Sequence, residues 1–283
     1  MTSFQLIGVP FDLHRLAYRM GATPPALLPR LAALPLPWAD EPLLLAPEEE
    51  LTGEEQPDLG HLAAALAGAV RQTCATGALP VIIGGDCLTA IGTVGGLDGA
   101  AAGVVWLDAH GDFNTPETTP SGYLGGMPLA ALAGRCLPEL TAAAGLQAPI
   151  PEERIILLGV RDLDPPEQAA LEASPVTVMT TAQLREAPDA VAQALARLGA
   201  QGPIYLHIDV DVLDPAVMPG VVYPTPGGLS LDELAGLLKT VRANCTPAAI
   251  AITAVNLSDG DQETILTAAT AVVQAALAVE ANP

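Results

Sequence analysis

Residues 104–114 read Val104-Val105-Trp106-Leu107-Asp108-Ala109-His110-Gly111-Asp112-Phe113-Asn114. A short apolar run stops abruptly in three ionisable groups within five residues. The first half has the composition of a buried strand, but a strand alone has no use for Asp108, His110 and Asp112 at its end. Two carboxylates and an imidazole that close repel or desolvate one another unless a cation holds them, so a metal is the first hypothesis. The competing reading is a polar turn at the end of a strand, and the triplet by itself does not decide between the two.

Working outward, similar apolar runs occupy residues 4–9, 43–46, 80–83, 155–160, 176–179, 204–208 and 249–255. Between them lie helical patterns. These are expected at 21–34 with Pro24 and Pro25 near the start, and from Asp58 as N-cap to about Gly77. Others begin at Asp164-Pro165-Pro166, or run over 189–198, over 231–241 behind Ser230 as N-cap, and over 262–279. Several of the strand runs are continuously apolar rather than alternating, which marks a parallel sheet covered on both faces. The acidic stretch 48–55 reads as a solvated connection. No linker or repeat divides the chain, so residues 1–283 are expected to form one α/β domain.

Half of the 283 residues are hydrophobic and only 15% are charged, which indicates a large buried core and excludes a disordered chain. Thirty-two acidic residues against 11 basic ones leave a net charge of −21. That balance disfavours nucleic acid or an anionic membrane as partner and leaves a small molecule. The four cysteines, Cys74, Cys87, Cys136 and Cys245, lack the spacing of a zinc ribbon or a disulfide framework. With no signal-peptide pattern and no run of about 18 apolar residues, the expectation is a cytoplasmic protein.

Ligands of open parallel sheets sit at the carboxyl ends of the strands. Three such ends carry unusual polar groups here: Asp86 and Cys87; Asp108, His110 and Asp112; and Asp209, Asp211 and Asp214. In an extended chain Asp209 and Asp211 face the same way, with Val210 opposite. A calcium loop of the EF-hand kind would need Gly and Glu where Asp214 and Gly220 stand. An Asp-x-Asp phosphatase motif normally opens its domain, whereas three quarters of this chain precedes Asp209. A cluster of acids around one His suits a hard divalent ion, or a pair bridged by carboxylates about 3.5–4 Å apart, and metal-assisted hydrolysis is the reaction class.

Gly84-Gly85-Asp86, Asp108-Ala109-His110-Gly111-Asp112 and Asp209-Val210-Asp211-Val212-Leu213-Asp214-Pro215 resemble the three motifs of the ureohydrolase family, which includes arginase, agmatinase and formiminoglutamase. Residues 114–122 and 159–165 resemble two further arginase stretches, and Pro226–Ser230 and Ala254-Val255-Asn256 fit the later motifs. The resemblance implies a three-layer α-β-α sandwich around a mostly parallel eight-stranded sheet, assembled as a homo-oligomer (trimer or hexamer). It implies hydrolysis of a guanidinium or related C–N bond by water activated on two manganese ions. Carried over by position, Asp108, His110, Asp209 and Asp211 match one metal site. Asp108, Asp112 and Asp209 match three of the four ligands of the other. Asp112 and Asp211 then belong to the catalytic centre, together with Asp214, whose family role is structural support. Asn114, Thr119 and Ser121 would hold an α-carboxylate, and Asp164 an α-amino group.

The pattern breaks at four positions. Cys87 stands where the family has a metal-binding His, so that it either ligates a softer ion such as zinc or iron or is a buried small residue. One or two ions per chain follow from those alternatives. A nucleophilic Cys87 would need an activating base. Ala254 replaces a Glu that pairs with the guanidinium, and Asp259 or Glu263 are the candidates to reach in instead. Gly125 replaces a proton-shuttling His, and Tyr123 replaces an Asn that contacts the substrate carboxylate. His14 and His61 lie outside the motifs, while His207 is either a support for the metal carboxylates or a packed core residue. Two functional readings result: a hydrolase of a modified substrate such as Nω-hydroxyarginine, or a metal- or ligand-binding family member with little hydrolytic activity.

Overall fold

The computed structural model describes residues 2–46, 51–258 and 260–277 of the chain. Eight strands form one sheet: β1 (Phe4–Val9), β4 (Leu43–Leu44), β5 (Leu79–Gly84), β6 (Gly103–Leu107), β7 (Ile155–Val160), β8 (Thr177–Thr180), β9 (Ile204–Asp209) and β10 (Pro247–Thr253). Their order is β4-β1-β5-β10-β9-β6-β7-β8. Every pairing is parallel, so the sheet is wholly rather than mostly so. A two-residue hairpin, β2 (Phe11–Asp12) with β3 (Arg15–Leu16), lies beside it and had no signal in the sequence.

Strand alternation sorts the core into two layers. Val105, Leu107, Leu206, Ile208, Ile250 and Ile252 face α1 (Thr23–Ala32), α8 (Pro188–Gly199), α9 (Leu231–Asn244) and α10 (Gln262–Leu277). Val104, Trp106, Tyr205, Ala249 and Ala251 face α2 (Glu55–Ala75), α3 (Thr89–Gly96), α4 (Pro128–Leu132) and α5 (Pro138–Ala143). The result is the three-layer sandwich. The remaining helices are α6 (Pro165–Glu172) and α7 (Thr181–Glu186). The short helices α4, α5 and α7 were not expected; α4 and α5 each open on a proline in the first turn, where a missing N–H costs nothing.

Ser230 caps α9 as expected, its hydroxyl accepting from the Glu233 amide while the Glu233 carboxylate returns to the Ser230 amide. Asp58 is not the N-cap of α2. The helix starts at Glu55, and Asp58 in its first turn reaches back to accept from the amides of Thr52 and Gly53 at 2.6 and 2.8 Å. Residues 48–50 of the acidic stretch and 278–279 of the last expected helix lie outside the described residues.

The chain runs from β1 out to the edge strand β4, returns past β1 to β5, then jumps to β6 and runs outward to β8. Strands β9 and β10 then fill the gap between the two halves. The carboxyl ends of β5, β10, β9 and β6 are therefore adjacent at the point where the winding reverses, the place where such sheets bind ligands.

Candidate active site

Each of those four strand ends delivers side chains to one pocket of about 220 Å³. Beyond β5 the chain passes Gly84-Gly85 into the turn before α3. A Cβ on Gly85 would stand 1.8 Å from the Phe11 carbonyl oxygen, so only glycine lets this turn pass the end of β1. Asp86 holds the turn: it accepts from the Leu88 amide at 2.8 Å and from the Leu13 amide. Cys87 follows, buried, with its sulfur 3.0 Å from Asp209 Oδ2 and 3.3 Å from Thr253 Oγ1. The thiol faces the acids and is not turned away into apolar packing.

Beyond β6, Asp108 accepts from the Trp106 indole at 3.0 Å and from the His110 amide at 2.7 Å. Its Oδ1 lies 3.4 Å from His110 Nδ1, and Asp211 Oδ2 lies 3.0 Å from the same nitrogen. Asp112 is held in the left-handed region at φ 47°, with its carbonyl accepting from the first amides beyond α4's cap, Leu129 and Ala130. A non-glycine residue is kept in that conformation only where its surroundings fix it. Buried Oδ2 of Asp112 has no hydrogen-bond partner among the described residues.

Asp209 and Asp211 do not share an extended strand, contrary to the alternation expected of them. β9 stops at Asp209, and residues Val210–Val212 form a 3₁₀ turn in which the Asp211 amide donates to Asp209 Oδ1 at 2.8 Å. Asp211 reaches His110 because of the turn, not because of strand alternation. Arg161 fixes that turn by donating to the carbonyls of Asp211, Leu213 and Thr225 at 2.6, 3.1 and 2.8 Å. Nothing in the local sequence announces that clamp.

Burial, and then the charge of Asp211, raises Asp108 to about 6. Burial and the charge of Asp108 raise Asp112, while burial and the charges of Asp211 and Asp108 raise Asp209. Against the burial that would lower it, hydrogen bonds donated to Asp108 and Asp211 lift His110 to about 12. Burial also opposes ionisation of Asp211, yet the bond and charge of His110 hold it below the ordinary carboxylate range. The Cys87 thiol is raised by burial and by Asp209, Asp112 and Asp108. Packed carboxylates that resist ionisation by desolvation and mutual repulsion are relieved by a cation. The donor sets fit one: Cys87, Asp108 and Asp112, and separately Asp108, His110 and Asp211, each offer atoms within 4.8 Å of one another. Asp108 is common to both, and the partner-free oxygen of Asp112 is what a ligand would use.

The opposite wall carries the predicted handle residues. Asn114, Thr119, Ser121 and Asp164 all line the pocket. Asn114 donates to Asp164 Oδ2 at 3.1 Å, and Thr119 and Ser121 hold their own loop by accepting from the amides of Gly122 and Tyr123. Asp214 does not line the pocket; it pins a loop by accepting from the amides of Ala216 and Gly227 at 3.0 and 2.8 Å. Sequence reading assigned no role to Asp162, which falls within the 159–165 stretch, to Glu167 in α6 or to Tyr223, and all three line the pocket.

Ala254 lines the pocket at φ 65°, its amide tied to the Gly85 carbonyl at 2.9 Å. Glu263 does not reach in; it forms a surface pair with Arg30. Asp259 lies outside the described residues. The Tyr123 ring occupies the space over Gly125: a Cβ there would meet its Cε1, Cζ and hydroxyl at 2.3, 2.4 and 2.6 Å. The two departures from the motif are thus one packing change. His61 is exposed and His14 sits 3.7 Å from Glu55, both away from the site, whereas His207 is wholly buried beneath it.

Two overlapping sets of metal-binding atoms in an acidic pocket at the switch point of a parallel sheet define a metal-dependent hydrolase of small molecules. The chain belongs to the arginase family, which it matches over residues 2–278, and it is a metal-dependent ureohydrolase. An arginase of Bacillus caldovelox is 34% identical over 253 residues, covering 82% of this chain and 84% of that protein. An arginase crystal structure from Bacillus subtilis superposes with a TM-score of 0.87 at 28% identity, covering 99% of this chain and all of that one. Formimidoylglutamase from the same species shares the fold, with a TM-score of 0.77 at 20% identity over 98% of this chain and 87% of that one.

Proposed function

We propose that this ureohydrolase cleaves a C–N bond of a guanidino amino acid, and that its substrate is a modified arginine such as Nω-hydroxyarginine rather than arginine. The observation that carries this reading is the Ala254 methyl on the pocket wall. A guanidinium taken out of water needs a carboxylate opposite it, and removing one partner of a buried ion pair typically costs about 3–5 kcal/mol. An N-hydroxyl group withdraws electron density, makes the head group less basic and reduces that need.

Cys87, Asp108, Asp112 and Asp209 would hold one divalent ion, and Asp108, His110, Asp209 and Asp211 a second. Ions such as manganese, or zinc or iron on the Cys87 side, supply Lewis acidity and lower the pKa of water. Asn114, Thr119 and Ser121 offer donors to an α-carboxylate, and Asp164 accepts from an α-ammonium, so the reacting carbon is presented toward the acids. Asp112 Oδ2, buried and without a hydrogen-bond partner among the described residues, is the oxygen that would hold the ion on the Cys87 side. The working form is expected to be a cytoplasmic homo-oligomer, trimer or hexamer.

A panel of arginine, Nω-hydroxyarginine, agmatine and formiminoglutamate, assayed for urea, ornithine or formamide release, tests the reading. The hydroxylated substrate should show kcat/KM at least about tenfold above arginine, a difference of about 1.4 kcal/mol. Equal values, or a preference for arginine, would overturn the assignment. Ala254→Glu should move the preference toward arginine. Failure of every compound, in protein carrying two ions per chain, leaves the chain as a binding member of the family.

A further inference from the structure

A buried polar chain leads from the sheet core to Cys87. The Tyr205 hydroxyl lies 2.7 Å from His207 Nδ1, and His207 Nε2 lies 3.1 Å from Thr253 Oγ1. Thr253 Oγ1 lies 3.3 Å from Cys87 Sγ, which is itself 3.0 Å from Asp209 Oδ2. Tyr205, His207 and Thr253 have no exposed surface at all. The imidazole is further locked by stacking on Trp106, with ring centres 3.6 Å apart and planes at 9°.

A phenol, an imidazole and a hydroxyl in the middle of a sheet are costly to bury, and apolar residues would fill the same space without that cost. Alternation along β9 places residues 205, 207 and 209 on one face, so the series climbs the strand toward the ligand Asp209. Neighbouring β10 places Thr253 opposite Asp209 in register. Its hydroxyl stands between the imidazole and the sulfur, with one proton to give and lone pairs to receive.

We propose that Tyr205, His207 and Thr253 are positioning residues that orient the Cys87 sulfur toward the metal-binding acids, which makes this half of the centre a site for a thiophilic divalent ion such as zinc. The proposal rests on Cys87 being a ligand, as read above. A thiolate accepts hydrogen bonds and gives none. Thr253 O–H then donates to Sγ, His207 Nε2–H donates to Thr253 Oγ1, and Tyr205 O–H donates to Nδ1. Every member is satisfied in that polarity. In the metal-free chain the thiol proton goes to Asp209 Oδ2 at 3.0 Å, which leaves the Thr253 hydroxyl free to donate to the sulfur.

Cobalt, whose thiolate complexes absorb in the near ultraviolet through sulfur-to-metal charge transfer, is the probe for ligation. Zinc affinity, by competition with a chromophoric chelator, is the probe for positioning. Native protein loaded with cobalt should show the band and Cys87→Ala should lose it. Thr253→Val keeps the shape but removes the hydroxyl, and should weaken zinc binding at this half about 10–100-fold and shift the band. Thr253→Ser should restore both. Tyr205→Phe, which frees the imidazole tautomer while keeping the ring, should weaken zinc binding by a smaller factor and serves if Thr253→Val does not fold. No band in native protein overturns the ligation of Cys87. A native band together with unchanged zinc affinity and band position in Thr253→Val, or in Tyr205→Phe where the former does not fold, overturns the positioning chain while leaving ligation in place.

Discussion

Glu167 shows how much a single side chain outside the motifs can govern this pocket. It is 3% exposed, accepts from the Phe113 amide at 2.8 Å, and its carboxyl is raised by burial from 4.5 to about 7. A raised carboxyl favours folding while it is protonated; that advantage is complete below about pH 4.5 and is lost as pH rises through about 7. Glu167→Gln keeps the acceptor and removes the titration. In metal-free protein its unfolding free energy should exceed the native value by up to about 3 kcal/mol at pH 8 and match it at pH 4.5, read by urea denaturation. A constant difference across that range would show that the group does not titrate in the fold. Tyr123 and Gly125 make a second, coupled case. Gly125→His drives a side chain into the Tyr123 ring and should cost more than about 2 kcal/mol, whereas Tyr123→Asn with Gly125→His should recover most of it, as a double-mutant cycle measures. The acids proposed as ligands stood out in the sequence because their spacing is a motif carried within a few residues. Glu167, and the tyrosine over Gly125, did not, since their roles come from contacts that only the folded loops create.

At the scale of elements, the turn after β9 decides whether the centre assembles. A strand continuing through Asp211 would have satisfied the alternation read from the sequence, but its end curls into a 3₁₀ turn that Arg161 secures through five backbone carbonyls. Arg161→Lys retains the charge but loses the planar fork that reaches several carbonyls at once. It should weaken metal binding on the His110 side about tenfold or more, by isothermal titration, with little change in helix content by circular dichroism. Native affinity in that variant would mean that the turn holds itself. Element types and order were largely readable from apolar runs and caps: the sequence places Ser230 correctly because its capping box with Glu233 is local. Boundaries drifted where the partner is distant. β10 begins at Pro247, ahead of the apolar run that marks it, because register with β9 extends it toward the amino end.

For the whole molecule, the parallel sheet and the strongly acidic charge act together. The winding reverses between β5 and β6, and the four adjacent strand ends collect carboxylates that no arginine or lysine among the pocket-lining residues offsets. That placement was legible as a class of fold, but the interleaving of β9 and β10 between the two halves was not, because strand order is a property of packing rather than of any one segment. Its energetic consequence is a metal-free state that resents deprotonation. Asp108 rises from 3.8 to about 6, so its favourable contribution is lost as pH climbs through about 6. His110, raised from 6.5 to about 12, contributes below about pH 6.5 and loses that contribution as pH climbs toward 12. Asp211, held low, acts in the opposite sense, contributing stability above the ordinary carboxylate range that acid removes. Two of these three slopes point the same way, and the raised Asp112 and Asp209 add to them. Chelated protein should therefore lose stability between pH 5 and pH 8. Ligands must be deprotonated to bind, so metal affinity climbs over the same interval. At a free ion concentration 100 times the Kd, each site adds about 2.7 kcal/mol, and two sites should raise Tm by roughly 10–20 °C at pH 8. The rise should shrink steadily toward pH 5 as protons compete for the same oxygens and sulfur. Calorimetry of chelated and loaded protein at both pH values measures it, and a metal-induced shift that is equal at pH 5 and pH 8 would refute the assignment of these carboxylates as the ligands.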